Sequence, residues 1–259
     1  MQIIQRIQST VTSTQSFSHK EEKLECEECR DTGWVLTECG TYKTCNCVDV
    51  KRSKALWENS GINIENSNLR LSNYNAQFSP DAARAKQLAV NYLTKFEQIK
   101  GNRENSFGLF GQQGAGKSHI ALSIGIYLLK QKVPVVYMPY VETMRELKAN
   151  ACDEEYYNKL INKYARAKVL VIDDLFKDKA KNGKLIGDLT DVDIKHIYPI
   201  INYRYLNYLP TVFSTECTIN MLLNLDEALA GRILESCGEN SVLFKYCKEN
   251  NYRLRKLLA

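Results

Sequence analysis

From residue 80 onward the chain alternates two hydrophobic patterns: short unbroken apolar runs, and longer stretches with apolar residues every three or four positions. A helix is predicted from Pro80-Asp81 through Ala82–Ile99, with a stripe of Leu88, Tyr92, Leu93 and Phe96, and Gly101-Asn102 breaks it. Phe107–Phe110 predicts a strand and Ile120–Leu129 a helix; Val133–Met138 predicts a second strand, followed by helices over Val141–Ala149 and Glu154–Ala167. The run Val169–Ile172 ends in Asp173 and Asp174, and a charged loop, Lys177–Lys184, leads to a long helix over Asp188–Tyr208. That helix carries Ile194, Ile197, Ile201 and Tyr205 at core spacing; its tyrosines 198, 203, 205 and 208 read as core or subunit contacts rather than base-stacking platforms. A fourth strand, Pro210–Phe213, is tipped by Ser214, Thr215 and Glu216; helical pieces follow at Ile219–Leu223 and Asp226–Leu234, then a strand near Val242–Tyr246. Strands apolar at every position are buried on both faces, so the chain reads as α/β, a parallel sheet between helical layers.

Between the first strand and its helix stands Gly111-Gln112-Gln113-Gly114-Ala115-Gly116-Lys117-Ser118, a complete G-x-x-x-x-G-K-S phosphate loop in the strand–loop–helix setting the motif requires. Glycines let successive N–H groups turn inward on an anion, and the helix that follows, from His119 on, adds the positive end of its dipole. Lys117 is placed to reach the β- and γ-phosphates of a nucleoside triphosphate, and Ser118 to bind Mg²⁺.

The run Val169–Ile172 closing on Asp173-Asp174 describes a Walker B strand. Asp173 stands at the carboxyl end, where open α/β sheets bind ligands, and shares the Mg²⁺ shell with Ser118; Asp174 is placed to orient or deprotonate an attacking water. In a sheet of order 5-1-4-3-2, the tip residue Thr215 would lie between the phosphate-loop strand and the Walker B strand and sense the terminal phosphate.

The amino-terminal part differs. Five of the nine cysteines fall between Cys26 and Cys47. Cys26-Glu27-Glu28-Cys29 and Cys45-Asn46-Cys47 form two short-spaced pairs joined by a loop with the turn and short strand Asp31–Leu36, an arrangement suited to a structural tetrahedral zinc site. Cys39 and His19 are spare ligands; Cys152, Cys217, Cys237 and Cys247 read as small buried apolar residues. A polar connector, Glu58–Asn75, follows the cluster. The predicted organisation is a zinc-binding module over 1–60, a linker over 61–79 and a nucleotide-binding domain over 80–259.

Charge refines this division. The net charge is +5, yet residues 1–60 carry eight Lys/Arg against nine Asp/Glu, so they form a poor phosphate clamp. The basic end holds Lys245, Lys248, Arg253, Arg255 and Lys256 against Glu249 alone and suits a polyanion. No run approaches the ~18 apolar residues of a membrane helix, and the amino terminus lacks the apolar block of a secretory signal, so a cytoplasmic location without membrane contact is expected. The absence of an Asn-Lys-x-Asp motif argues against guanine recognition.

The phosphate loop, Val-Leu-Val-Ile-Asp-Asp-Leu-Phe-Lys, Ile-Ile-Asn-Tyr-Arg-Tyr at 200–205 and Leu-Ala-Gly-Arg-Ile-Leu-Glu at 229–235 together resemble the DnaC/DnaI-type helicase loaders, in their phage and prophage versions, within the AAA+ ATPases. The amino-terminal cysteine pairs resemble the zinc-bearing front domain of such loaders. The resemblance implies a P-loop AAA+ three-layer sandwich behind a small zinc module. It implies an ATP-dependent chaperone that grips a hexameric replicative helicase, binds single-stranded DNA and self-associates through its AAA+ domain. It further implies that Arg232 is an arginine finger reaching a neighbour's ATP, with Arg204 as the other candidate, and that Arg253 acts in cis as a sensor. Most AAA+ proteins carry Glu where Asp174 stands; the shorter acid implies slow hydrolysis. The competing readings are an IstB-like transposition helper, which generally lacks the front module, and a nucleotide-gated adaptor.

Overall fold

The computed structural model describes residues 24–59, 62 and 68–254. The chain divides into a small unit, Met1–Cys45, and a large one, Asn46–Ala259. In the small unit, β1 (Trp34–Leu36) and β2 (Tyr42–Thr44) form an antiparallel hairpin in which Leu36 faces Tyr42. Gly33 precedes β1 at φ 78°, in the left-handed region that glycine tolerates, and its carbonyl accepts from the Cys45 N–H at 2.7 Å.

The large unit begins earlier than the sequence suggested. Helix α1 (Asn46–Asn59) belongs to it, because Val50, Ser53 and Trp57 form a buried stripe and the fully buried Trp57 indole donates to the Val135 carbonyl at 2.9 Å. The stretch expected as linker is also partly anchored. Leu69 and Leu71 pack against the core, and the Tyr74 hydroxyl donates to the Ala115 carbonyl at 2.8 Å. Helix α2 (Pro80–Ile99) starts as expected, with the Ser79 hydroxyl capping the Ala82 N–H and Pro80 in the first turn. Its buried stripe is Ala82, Ala85, Ala89, Tyr92 and Phe96, while Leu88 and Leu93 are half-buried at its edge.

Then come β3 (Phe107–Gly111), α3 (Lys117–Lys130), β4 (Val135–Pro139), α4 (Tyr140–Ala149), α5 (Glu154–Ala165) and β5 (Val169–Leu175). The expected charged loop is a 3₁₀ turn, Lys177–Lys179, and a small hairpin of β6 (Ala180–Lys181) and β7 (Lys184–Leu185). Helix α6 (Asp191–Leu206), β8 (Thr211–Thr215), α7 (Ile219–Leu225), α8 (Glu227–Cys237) and β9 (Ser241–Phe244) complete the unit. The five long strands form one parallel sheet of order β4-β5-β8-β3-β9. Counted from the phosphate-loop strand and read from the far edge, this is the expected order 5-1-4-3-2.

Strand alternation explains the unbroken apolar runs. On β5, Val169 and Val171 face the layer of α1, α2 and α3, while Leu170 and Ile172 face the layer of α4 to α8. On β8, Val212 and Phe213 divide the same way. In α6, Ile197 and Ile201 are core as expected and Ile194 and Tyr205 are half-buried; the helix also buries Asp193, His196 and Arg204. Among the described residues no helix is long and apolar enough to cross a membrane.

Candidate functional site

The phosphate loop leaves β3 and enters α3 through three glycines at positive φ, Gly111 at 92°, Gly114 at 75° and Gly116 at 82°. Side chains are excluded there twice over. An L-residue is strained at such φ, and an added Cβ would run into Phe244, Asn251 and Tyr74 respectively. The loop's outer surface is tied to the protein: Gln112 N–H bonds to Phe244 O at 3.0 Å, Tyr252 N–H to Gly114 O at 3.1 Å, and Tyr74 to Ala115 O. Among the described residues, the backbone N–H groups of Gln113, Gly114, Ala115 and Gly116 find no acceptor in the protein. Nor does any side chain cap α3, whose amino end begins at Lys117. A loop that fastens its carbonyls outward and leaves its amides unpaired at a helix amino terminus is a receptor for phosphate oxygens.

Lys117 lies in this cradle with Nζ 2.8 Å from Gly111 O and 2.7 Å from Gln112 O. Burial pulls its pKa down to about 8, against the attraction of Glu216, Asp174 and Asp173. Ser118 reaches Asp173, and this hydroxyl–carboxylate pair is the donor set expected for Mg²⁺. The ring of His119 points away, bonding to the Arg70 carbonyl at 3.0 Å and lying beside Tyr74; only its backbone belongs to the cradle.

Asp173 is buried at the end of β5. Ser214 donates a short hydrogen bond to it and Tyr137 a longer one of 3.5 Å. Burial, then the neighbouring Asp174 charge, raise its pKa above the ordinary carboxylate value, while the Ser214 and Ser118 hydroxyls oppose the rise. The β5–β8 register slips between Ile172 and Leu175, and Asp174 takes φ 57° at that irregularity. Its side chain is thereby re-aimed, with its N–H on Ser214 Oγ at 3.2 Å and its carboxylate on Lys177 Nζ at 2.6 Å.

Three expectations need correction. Thr215 does not reach the site: its hydroxyl donates to Leu175 O at 2.6 Å and accepts from the Cys217 N–H. Alternation decides this, because Ser214 shares a sheet face with Val212, Val171 and Asp173, and Thr215 takes the other. Arg204 cannot be a finger. It is 2% exposed and locked by bonds to Thr211 Oγ1 and to the carbonyls of Tyr164, Ala165, Ala167 and Pro210. Cys152 and Cys247 are exposed, whereas Cys217 and Cys237 are buried as expected.

Arg232 is half-buried on α8, with Nε 2.9 Å from Asn202 Oδ1 and its guanidinium over the Tyr198 ring. Tyr205 and Tyr208 stack under Arg103 and Tyr203 under Arg166, so these three tyrosines serve an arginine-studded surface, while Tyr198 packs against the core. Arg253 is exposed and follows Asn251 and Tyr252, which both abut Gly114, so it stands beside the phosphate loop of its own chain. Arg255 and Lys256 of the basic end lie outside the described residues, as does His19.

The Sγ atoms of Cys26, Cys29, Cys45 and Cys47 all lie within 4.8 Å of one another. Cys26 and Cys45 are 3.7 Å apart, close to the edge of a tetrahedron built on Zn–S bonds of ~2.3 Å. Cys39 lies apart from this set, bonded to Thr37 and Thr41, which, Thr37 first, lower its pKa to about 7. The donor set fits zinc, and it would be structural, since four protein thiolates leave no open position.

The sequence pattern of the family described as IstB-like ATP binding protein matches residues 62–207. The phage-like element PBSX protein XkdC of Bacillus subtilis (strain 168) is 35% identical over 238 residues, 90% of this chain and 87% of that protein. The uncharacterized protein YqaM of the same strain is 40% identical over 208 residues, 79% of this chain; the chain spans 64% of that relative's length. Among solved structures, the DnaC helicase loader is similar with a TM-score of 0.54 and 22% identity, covering 69% of this chain and 97% of that one. This last likeness is one of fold.

Proposed function

The chain belongs to the family of IstB-like ATP binding proteins and is an ATPase of the AAA+ fold, and from that premise we propose that it loads a ring-shaped replicative helicase onto single-stranded DNA. The reading rests on one juxtaposition: a loader-type ATPase fold in the same chain as an amino-terminal four-cysteine cluster. Among the described residues of the small unit, Glu25, Glu27, Glu28, Asp31 and Glu38 outnumber Arg30 and Lys43, which favours a protein partner over nucleic acid.

In this reading the loop amides of Gln113 to Gly116 and the first turn of α3 hold the triphosphate, Lys117 bridges its β- and γ-phosphates, and Ser118 and Asp173 hold Mg²⁺. The bound metal neutralises charge that develops on the phosphate oxygens. Asp174 orients the attacking water, and its short reach keeps turnover slow. Arg253 contacts the nucleotide of its own subunit and Arg232 that of a neighbour, so that hydrolysis depends on self-association. The front module ahead of α1 grips the helicase, and the protein works in the cytoplasm.

The test combines purified protein with the host's replicative helicase, with and without ATP, and follows helicase transfer to single-stranded DNA. Transfer that needs ATP and slows with Asp174→Asn supports loading; transfer at full rate with D174N indicates a nucleotide-gated adaptor. A second reading, a transposition helper acting on duplex DNA, is favoured by the family match over 62–207. It predicts tight duplex binding and no affinity for the helicase.

A further inference from the structure

The exit from the Walker B strand is built in an unusual way. Asp174 and Phe176 both take left-handed backbone conformations, at φ 57° each, with Leu175 between them. Aspartate visits this region more readily than most residues, but a bulky phenylalanine does so rarely, and such strain persists only where the surroundings enforce it. Here they do. Phe176 is buried and packs edge-on against Tyr140, and the Asp174 N–H is held by Ser214. The effect of the two reversals is to fold the 3₁₀ turn back over the site, so that Lys177 faces the strand it has just left.

Lys177 Nζ lies 2.6 Å from Asp174 Oδ2 and 3.5 Å from Glu216 Oε1. Glu216, just past β8, is nearly buried, with 12% of its side chain exposed, and its backbone carbonyl is fixed by the Tyr246 hydroxyl at 2.7 Å. The ammonium is thus shared between two carboxylates at the mouth of the phosphate cradle. Burial alone would lower its pKa, yet Asp174 and Glu216 outweigh that and raise it, so Lys177 is a fixed positive charge. Lys177 belongs neither to the phosphate cradle nor to the Ser118–Asp173 pair.

We propose that Lys177 is a positioning residue that restrains Asp174: the ion pair ties one oxygen of the water-orienting carboxylate away from the reacting phosphate, and Glu216 keeps the lysine in place. The inference deepens the ATPase reading and rests on it. An aspartate already shorter than the usual glutamate is further held back by its own neighbour three residues on, so slow hydrolysis is a built property of the β5 exit. Release follows when the ammonium is drawn to another anion. Lys177 is 45% exposed, so replacing it leaves the fold intact.

The test is steady-state hydrolysis by full-length wild type, Lys177→Met, Lys177→Arg, Asp174→Asn and the double variant K177M/D174N, with nucleotide affinity measured separately. K177M is expected to raise kcat about two- to fivefold, the range that a half-exposed ion pair can supply, with ATP affinity unchanged. K177R keeps the cation and restores the wild-type rate, whereas a mere loss of packing would not be rescued by charge. The double variant is as inactive as D174N, because the restraint acts only through that carboxylate. A kcat for K177M at or below wild type, or a gain that survives in the double variant, overturns the inference while leaving the ATPase reading intact. Hydrolysis missing from wild type and every variant would instead remove the ATPase reading, and the restraint with it.

Discussion

Arg204 offers the sharpest contrast between a residue's appearance in the sequence and its place in the fold. It stands in the Ile-Ile-Asn-Tyr-Arg-Tyr tract that suggested a finger, yet five acceptors surround its guanidinium at 2.6 to 3.3 Å. Consider Arg204→Met, which keeps the bulk of the aliphatic stem and removes the charge. Hydrogen bonds to a charged group are worth about 1.5–3 kcal/mol each, so the three short ones, to Thr211, Ala167 and Pro210, represent about 5–9 kcal/mol. The variant also escapes the cost of burying a cation, several kcal/mol, which offsets about half of the loss. The balance is a destabilisation of about 2–4 kcal/mol, or a fall in Tm of about 4–15 °C for a domain of this size. Differential scanning calorimetry reads the shift, and hydrolysis per folded molecule, measured well below the transition, is expected to match wild type. A variant that melts like wild type but no longer hydrolyses ATP would refute the argument and restore Arg204 as a finger. Arg232→Ala is expected to do the reverse, with Tm nearly unchanged and hydrolysis lost in the assembled state.

Other expectations are equally concrete. Metal analysis should give one zinc per chain, lost in Cys29→Ser and kept in Cys39→Ser, because Cys39 lies outside the four-thiolate set. His196 is buried with Nδ1 against the Tyr157 hydroxyl at 3.0 Å and Nε2 unpartnered; burial, then Lys148 and Lys195, hold its pKa below the ordinary 6.5. The unfolded chain therefore binds a proton there before the folded one does, so this site costs stability as pH falls below 6.5. Thermal melts across that window should be less pH-dependent in His196→Phe than in wild type. Gly116→Ala should weaken ATP binding, since a Cβ there meets the Tyr74 ring and the residue sits at φ 82°.

Much of this arrangement is legible in the sequence because parallel strands and phosphate loops leave strong local signatures. The five strands and the loop follow from unbroken apolar runs and from glycines at fixed spacing, while the strand order is what the AAA+ resemblance implies. What escaped was set by packing. Helix α1 is polar overall, and only Val50, Ser53 and Trp57 betray its buried side, so it read as part of the front module. Which of Ser214 and Thr215 faces Asp173 depends on strand parity, and a tip read without its register leaves that open. The buried polar stripe of α6, Asp193 with Lys148 and Lys179 as well as Arg204, is not visible to any hydrophobic period. Nor could composition reveal that Lys177 folds back on Asp174, since the two left-handed residues that turn the chain are ordinary Asp and Phe.

Equilibrium binding of labelled ATP to wild type and Lys117→Ala bears most directly on the phosphate cradle from which the whole reading is built. Wild type should bind saturably in the presence of Mg²⁺. K117A should bind at least about tenfold more weakly, a loss of ~1.4 kcal/mol, with an unchanged melting temperature. Undiminished affinity in K117A would contradict the account.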